Sequence, residues 1–118
     1  MDPGNGDAER LLRQAYEGFN ARDVDAVLAL MHADVDWPNV LEDRRAHGHD
    51  EVRRYWTRQF AEISAHVTPQ RFRPTADGRI AVDVHQVVRD LEGNLLSEGE
   101  VVHVYTIRDG LVERMEIE

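Results

Sequence analysis

The 118-residue sequence contains no cysteine and no lysine, and these two absences exclude several kinds of chemistry. Without cysteine there is no disulfide, no thiolate nucleophile and no cysteine-ligated zinc or iron–sulfur centre. Without lysine there is neither a Schiff-base amine nor the phosphate-binding lysine of a P-loop. The two serines, Ser64 and Ser97, lie outside any G-x-S-x-G motif. Histidine, aspartate, glutamate, tyrosine, arginine and asparagine are left to carry any reaction.

Long apolar runs and positive charge are also scarce. No stretch approaches the roughly 18 apolar residues of a membrane span, so we expect no membrane insertion. The formal net charge of −9 repels phosphates, so we expect no nucleic-acid partner. The acidic, glycine-rich start is unlike a signal peptide, and we expect a cytoplasmic location. Residues 1–6 are predicted to be a flexible lead-in and residues 7–118 a single domain.

Apolar periodicity predicts three helices in the first half of the chain. Asp7 is the expected N-cap of the first, and Asp23 of the second, after the junction N-A-R-D at 20–23. A short strand follows over 33–40, and the polar stretch 41–49 is read as a loop. The third helix opens at His49 or Asp50, and its apolar face comprises Val52, Tyr55, Trp56, Gln59, Phe60 and Ile63.

The second half of the chain is extended. Residues 66–75 contain two prolines, and strand-like runs follow over 79–90, 96–108 and 111–117. The connections at 91–94 and 108–110 are short enough for antiparallel hairpins. Helices followed by a mostly antiparallel sheet predict an α+β fold with the helices on one face of the sheet.

Alternation along the two long strands assigns side chains to faces. A hairpin turn near residue 94 would place His85 opposite or diagonal to His103, and Asp83 near Tyr105. The other face would be rich in valine and uncovered by the helices, which is typical of an interface. We therefore expect a homodimer through Val82, Val84, Val88, Val102 and Val104; the alternative is a monomer in which segment 66–75 covers these side chains.

Three segments resemble the NTF2-like superfamily, most closely its SnoaL-like and ketosteroid-isomerase-like branch. They are LLRQAYEGFNARDVDAVLALMHADVDW at 11–37, GHDEVRRYW at 48–56 and VVHVYTIRDGLVERMEIE at 101–118. The resemblance implies a cone-shaped fold in which a strongly bent sheet wraps three N-terminal helices around a deep apolar pocket. It places Tyr16 at the isomerase tyrosine, Asn39 at the general-base carboxylate and His103 at the carboxylic-acid donor. An alignment gap near Pro38 would instead bring Asp34 or Asp36 to the base position.

Because an amide cannot act as a base, the isomerase mechanism itself is not expected. The resemblance instead implies a cofactor-independent enzyme that transfers protons next to a carbonyl of a small hydrophobic ligand: an isomerase, cyclase or dehydratase. His103 would be the acid/base group, with His85 as its partner, Tyr16 stabilising the oxygen and Asp83 orienting a ring. The expected ligand-binding residues are Phe19, Trp37, Asn39, Trp56, Phe60, Val101, Tyr105 and Met115.

Other interpretations remain open. An inward-facing histidine is more often a hydrogen-bonded core residue than a catalyst, and the same fold serves as a non-catalytic ligand-binding or dimeric interaction module. The His-x-His at 47–49 is a weak metal pattern without further ligands, so neither a metal nor a cofactor is expected. Arg44 or Arg45 near the pocket rim is a candidate partner for a ligand carboxylate.

Overall fold

Three helices and six strands make up residues 3–118, the part of the chain that the computed structural model describes. The helices are α1 (Pro3–Asn20), α2 (Val24–Leu28) and α3 (Gly48–Glu62). The strands are β1 (Met31–Asn39), β2 (Arg44–His47), β3 (Ile63–Pro74), β4 (Ile80–Asp90), β5 (Leu95–Arg108) and β6 (Leu111–Ile117). No helix within residues 3–118 is long and apolar enough to cross a membrane.

The six strands form one curved, unclosed sheet in the order β2-β1-β6-β5-β4-β3. Every neighbouring pair is antiparallel except β1 and β6, which run parallel. The helices cover the concave face, and the core fills the space between them and the sheet. The predicted α+β fold is therefore confirmed. The fully buried side chains at its centre are Leu12, Val35, Val52, Trp56, Val82, Val84 and Val112.

Two elements differ from the sequence predictions, the start of the first helix and the predicted loop 41–49. Helix α1 begins at Pro3, so it includes residues 3–6 of the predicted lead-in, while residues 1–2 lie outside the described part of the chain. A proline fits the first turn of a helix, where its missing N–H has no partner to lose. Asp7 therefore lies inside α1, where it pairs with Arg10, and the N-cap prediction is wrong. The predicted loop 41–49 contains strand β2. Asp23 does cap α2, accepting a hydrogen bond from the Ala26 N–H.

The register of the β4–β5 hairpin differs from the expected one. His85 lies opposite Glu100, and His103 lies opposite Val82. This is a shift of three residues from the pairing of His85 with His103, and an odd shift exchanges the two faces of a strand. The concave face thus carries Val82, Val84, Val101, His103 and Tyr105. Asp83 and His85 lie on the outer face.

The predicted dimer interface does not form one surface, because its valines are divided between the two faces. Val82 and Val84 are 0% exposed in the core beneath the helices, and Val88 lines a cavity on the same side. Val102 and Val104 alone face outward, opposite Asp83 and Ala81 of β4. Alternation was read correctly within each strand, but the two strands were combined in the wrong register.

Asn20 fixes the end of α1 to the sheet. Its Nδ2 donates to the Val67 carbonyl oxygen at 2.8 Å, and its Oδ1 accepts from the Val67 N–H at 3.0 Å. The side-chain amide thus satisfies both backbone groups of one residue of β3. Because α1 carries Tyr16 one turn before Asn20, this contact also fixes the height of Tyr16 above the sheet.

Replacing Asn20 tests this anchor. We expect Asn20→Ala to lower the free energy of unfolding by about 1–3 kcal/mol, because two part-buried backbone groups lose their partner. Asn20→Asp is the matched control, since it keeps the acceptor for the Val67 N–H and removes the donor. Its loss should be smaller. Urea denaturation followed by circular dichroism measures both, and losses within about 0.5 kcal/mol for both variants contradict the anchor.

Candidate functional site

A cavity of about 280 Å³ lies between the helices and the concave face of the sheet. It falls at the lower edge of the roughly 300–1,000 Å³ usual for small-molecule sites. Its walls come from all three helices and from all the strands except β2, and they are mainly apolar. The volume and the lining indicate a small, largely apolar ligand. The predicted ligand-binding residues that line it are Phe19, Trp37, Trp56, Val101, Tyr105 and Met115.

A chain of three hydrogen-bonded side chains forms the polar part of the cavity wall. The Tyr105 hydroxyl donates to the Tyr16 hydroxyl oxygen at 2.8 Å. The Tyr16 hydroxyl lies 2.9 Å from His103 Nδ1. All three side chains line the cavity, and each is at most 6% exposed. Tyr16 comes from α1, whereas His103 and Tyr105 are neighbours on one face of β5.

The second ring nitrogen of His103 faces accessible space. Among the described residues, Nε2 has no hydrogen-bond partner, yet no buried side-chain nitrogen or oxygen there lacks one. Nε2 is therefore not sealed in the core. Since His103 lines the cavity, a ligand can reach Nε2.

Burial keeps the three hydrogen-bonded side chains of Tyr105, Tyr16 and His103 uncharged near neutral pH. Desolvation lowers the pKa of His103 from 6.5 to about 4, because a dry environment disfavours the imidazolium. Desolvation also raises the pKa of Tyr16 far above its usual range, and the neighbouring Tyr105 adds to this shift. The pKa of Tyr105 is raised for the same reason. The site therefore contains a neutral imidazole and two neutral phenols.

Aromatic rings form the rest of the wall. Trp56 of α3 meets Trp37 of β1 edge to face at 5.4 Å and Phe19 of α1 at 5.7 Å between ring centroids. Phe60 does not line the cavity, which corrects its predicted role in ligand binding. It packs behind Phe19 and beneath the Arg22 guanidinium, 4.5 Å from the ring centroid. The helical spacing of Phe60 is typical both of a residue in the cavity wall and of one packed behind it.

His85 and Asp83 lie on the outer face, away from the cavity. Asp83 pairs with Arg73 at 2.7 Å, which lowers the pKa of the Asp83 carboxyl. The two ring nitrogens of His85 lie 2.8 Å from Glu100 and 2.8 Å from Glu98. The expected convergence of His85, Asp83 and His103 is therefore wrong, and the β4–β5 register is the reason.

Asn39 also lies outside the main cavity, which corrects its predicted place as a ligand-binding residue. The side chain is buried, and its Oδ1 accepts a hydrogen bond from the Glu42 N–H at 3.1 Å. It shapes the turn between β1 and β2. Its neighbours Pro38 and Val40 line the main cavity instead.

The sequence matches the profile of the SnoaL-like domain family over residues 12–115. The chain belongs to the SnoaL-like domain family. Comparison with curated proteins gives no match.

Solved structures share the fold of this SnoaL-like protein. TerC, co-crystallised with polyporic acid, is 26% identical with a TM-score of 0.82, covering 95% of this chain and 90% of its own. An NTF2-like protein of unknown function from Burkholderia pseudomallei has the same identity and TM-score, over 95% and 89% of the two chains. A Mycobacterium tuberculosis protein in complex with estradiol-17beta-hemisuccinate is 22% identical with a TM-score of 0.79, over 92% and 90%; this likeness shows the fold alone.

No aspartate or glutamate of the described residues lines the main cavity of the SnoaL-like chain. Asp36, one candidate for the base position, pairs with Arg45 at 2.6 Å and with Arg114 at 2.5 Å. Asp34, the other, has a side chain that is 79% exposed. The side chains described likewise include no group of three histidines, aspartates or glutamates placed to hold a metal ion. Any acid/base chemistry in the cavity therefore depends on His103 and the tyrosines.

Three polar residues of the cavity had no assigned role in the sequence. Gln59 and Tyr55 were placed on the apolar face of α3, and Gln86 was not among the predicted site residues. All three line the cavity. The Tyr55 hydroxyl already accepts one hydrogen bond, from the Val40 N–H at 3.4 Å. The side-chain amides of the two glutamines have no hydrogen-bond partner among the described residues. Gln59 could have been identified as a cavity residue because it is polar yet lies in the apolar stripe of a helix. Identifying Gln86 required the correct register of β4 with β5.

The position of His85 on the outer face gives a test of the register. Hydrogen bonds to Glu100 and Glu98 raise the pKa of His85 above 6.5. The stabilisation that these pairs provide is therefore complete below about pH 6.5 and is lost as the pH rises through the raised value. We expect proton NMR titration to show His85 titrating above 6.5, and Glu100→Gln to move the midpoint down. Glu92→Gln, in the exposed hairpin turn, is the control; an unchanged midpoint in Glu100→Gln contradicts the register.

Proposed function

We propose that this SnoaL-like protein is a cofactor-independent enzyme that transfers a proton next to a carbonyl group of a small, mainly apolar compound. The single observation that carries the proposal is the Tyr105–Tyr16–His103 hydrogen-bond chain in the wall of an otherwise apolar cavity. The co-crystallisation of the similar protein TerC with polyporic acid supports an aromatic or polycyclic ligand. Isomerisation, cyclisation and dehydration all include such a proton transfer.

The protons of this chain have two arrangements. In the first, Tyr16 donates to His103 Nδ1, and the cavity receives the Nε2–H group as a hydrogen-bond donor. In the second, Nδ1–H donates to the Tyr16 oxygen, which also accepts from Tyr105. The Tyr16 proton is then free to turn toward a ligand oxygen, and Nε2 presents a lone pair. The second arrangement supplies a base and an oxygen-directed donor together.

Enolisation follows from the second arrangement. His103 Nε2 takes the proton from the carbon next to the carbonyl, and Tyr16 donates to the oxygen on which negative charge develops. Because the Tyr16 oxygen itself accepts two hydrogen bonds, its hydroxyl donates more strongly than an isolated phenol would. The imidazolium keeps its Nδ1–H bond to Tyr16 and returns the proton from Nε2 to the ligand, at the same carbon or another.

Tyr105, at the far end of the hydrogen-bond chain, does not pass protons to solvent. Tyr105 is 2% exposed, and its raised pKa opposes loss of its proton. A proton taken up by His103 therefore leaves through the cavity rather than through the core. This favours reactions that return the proton to the same ligand over reactions that need its net removal.

Exchange of carbon-bound hydrogen in a simple ketone tests the proposal without knowledge of the natural substrate. In heavy water, we expect the protein to accelerate deuterium incorporation next to the carbonyl of 2-tetralone, measured by NMR. His103→Asn should reduce the rate at least ~100-fold. The base is free above its pKa, so activity should fall as the pH decreases through about 4 rather than through 6.5.

His85→Asn is the matched control, since it removes a histidine from the outer face and should leave exchange unchanged. If His103→Asn retains full exchange, the assignment of His103 is wrong. A non-catalytic ligand-binding module is the second candidate function, and the absence of a carboxylate from the described cavity wall favours it. It predicts that 2-tetralone raises the melting temperature while exchange stays at the background rate.

We also propose the homodimer, now through the outer face of the sheet. Its centre holds the partly exposed Val102, beside Val104, which the chain itself already covers at 2% exposure, and ion pairs such as Arg73–Asp83 and Arg79–Glu116 surround it. We expect sedimentation velocity to show a dimer for the unmodified chain and a monomer for Val102→Glu, because a buried unpaired charge opposes association. A Val102→Glu chain that sediments like the unmodified one, or an unmodified chain that is monomeric, contradicts the interface.

A further inference from the structure

The cavity has a second polar region, and its position along the sheet relative to His103 is fixed by the β4–β5 pairing. His103 lies opposite Val82, and Gln86 is four residues further along β4 on the same face. At the usual rise per residue, this places the Cα atoms of His103 and Gln86 roughly 13 Å apart along the sheet. Val84 and Val101 lie between them.

Gln86 has open space in front of it. Its partner across the hairpin is Gly99, which has no side chain, and a Cβ atom at Gly99 would meet nothing within 4 Å. No side chain therefore fills the position beside Gln86 in the neighbouring strand. It has no hydrogen-bond partner among the described residues, and it is not buried out of reach of a ligand.

Gln59 lies toward the same end of the cavity. It is one helical turn before Ile63, where β3 begins, and Ile63 pairs with Asp90 at the far end of β4. The last turn of α3 therefore joins the sheet at the end of β4 beyond Gln86, not at the end that pairs with His103. The Gln59 amide also lacks a side-chain partner among the described residues. Two neutral amides, each with a donor and an acceptor, thus lie at the opposite end from Tyr16 and His103.

We propose that the ligand carries two oxygen functions at opposite ends of a two-ring apolar body, one held by Tyr16 and His103 and the other by Gln59 and Gln86. The inference rests on the proposed function for the Tyr16 end, and it adds the chemical class of the ligand. A single ring is too short to reach from one polar end to the other. Both ends are uncharged, so neutral hydroxyl or carbonyl groups match them better than a carboxylate or phosphate. Gln59 and Gln86 are specificity-determining residues in this assignment.

Binding of 4-hydroxybiphenyl and 4,4′-dihydroxybiphenyl tests the proposal. The two compounds share one phenol, which resembles the enol form of a carbonyl compound, and differ in the second hydroxyl. By isothermal titration calorimetry, we expect the diol to bind the unmodified protein about five- to tenfold more tightly than the mono-ol. Gln86→Leu and Gln59→Leu should each reduce this preference, and the double variant should abolish it without weakening the mono-ol.

Gln70→Leu is the matched control, because Gln70 is an exposed residue of β3 outside the cavity and its replacement should preserve the preference. Thermal unfolding of each variant checks that the fold is intact. Equal affinity for both compounds, binding of neither, or a preference that survives in the double variant overturns the inference. Proton transfer is judged separately: a diol preference together with full exchange activity in His103→Asn retains the ligand class and rejects the reaction.

Discussion

The pairing of β4 with β5 is the constraint on which the candidate site depends. Because side chains alternate between the faces of a strand, placing His103 opposite Val82 sends His103 and Tyr105 to the concave side and His85 to the convex side. An odd shift would reverse this division and put the imidazole in the outer surface. The turn that sets the register is held by Asp90, whose carboxylate accepts hydrogen bonds from the N–H groups of Glu92 and Asn94. This turn and the bulge between Val88 and Arg89 together determine which histidine reaches the cavity.

The polar end of the cavity is built from groups that are buried without charge. A buried polar group costs free energy unless it is hydrogen-bonded, and here Tyr105 and Tyr16 each satisfy the next member of the chain. His103 stays neutral because burial disfavours its protonated form, and no carboxylate among the described residues of the cavity wall offsets this effect. This environment favours a ligand that brings a neutral oxygen. It also makes the imidazole a weak base, so the donor on the ligand oxygen must contribute much of the stabilisation of an enolate.

The sequence predicted more of the fold than of the candidate site. Periodicity and turn residues predicted α3, the two hairpins and the α+β arrangement, because each depends on local pattern. The placement of Tyr16 and His103 in the cavity came from family resemblance. The hairpin register was missed for two reasons: the turn is centred at residue 92, where Arg89 pairs with Leu95, rather than near residue 94, and a bulge between Val88 and Arg89 changes the pairing by one residue and so exchanges the faces. Alternation within one strand reveals neither. Asn39 was misplaced for a related reason: near Pro38, an alignment by eye does not tell which residue of the strand faces inward.

The attachment of α1 to β3 has a second consequence. Strand β3 is the last strand of the sheet, and Val67 presents its N–H and carbonyl on the side that has no neighbouring strand. Free backbone groups of this kind can recruit a strand from another molecule and start aggregation. Asn20 occupies them with its own amide, which mimics the peptide group of an added strand. The residue that docks the helix therefore also protects the border of the sheet against unwanted strand exchange.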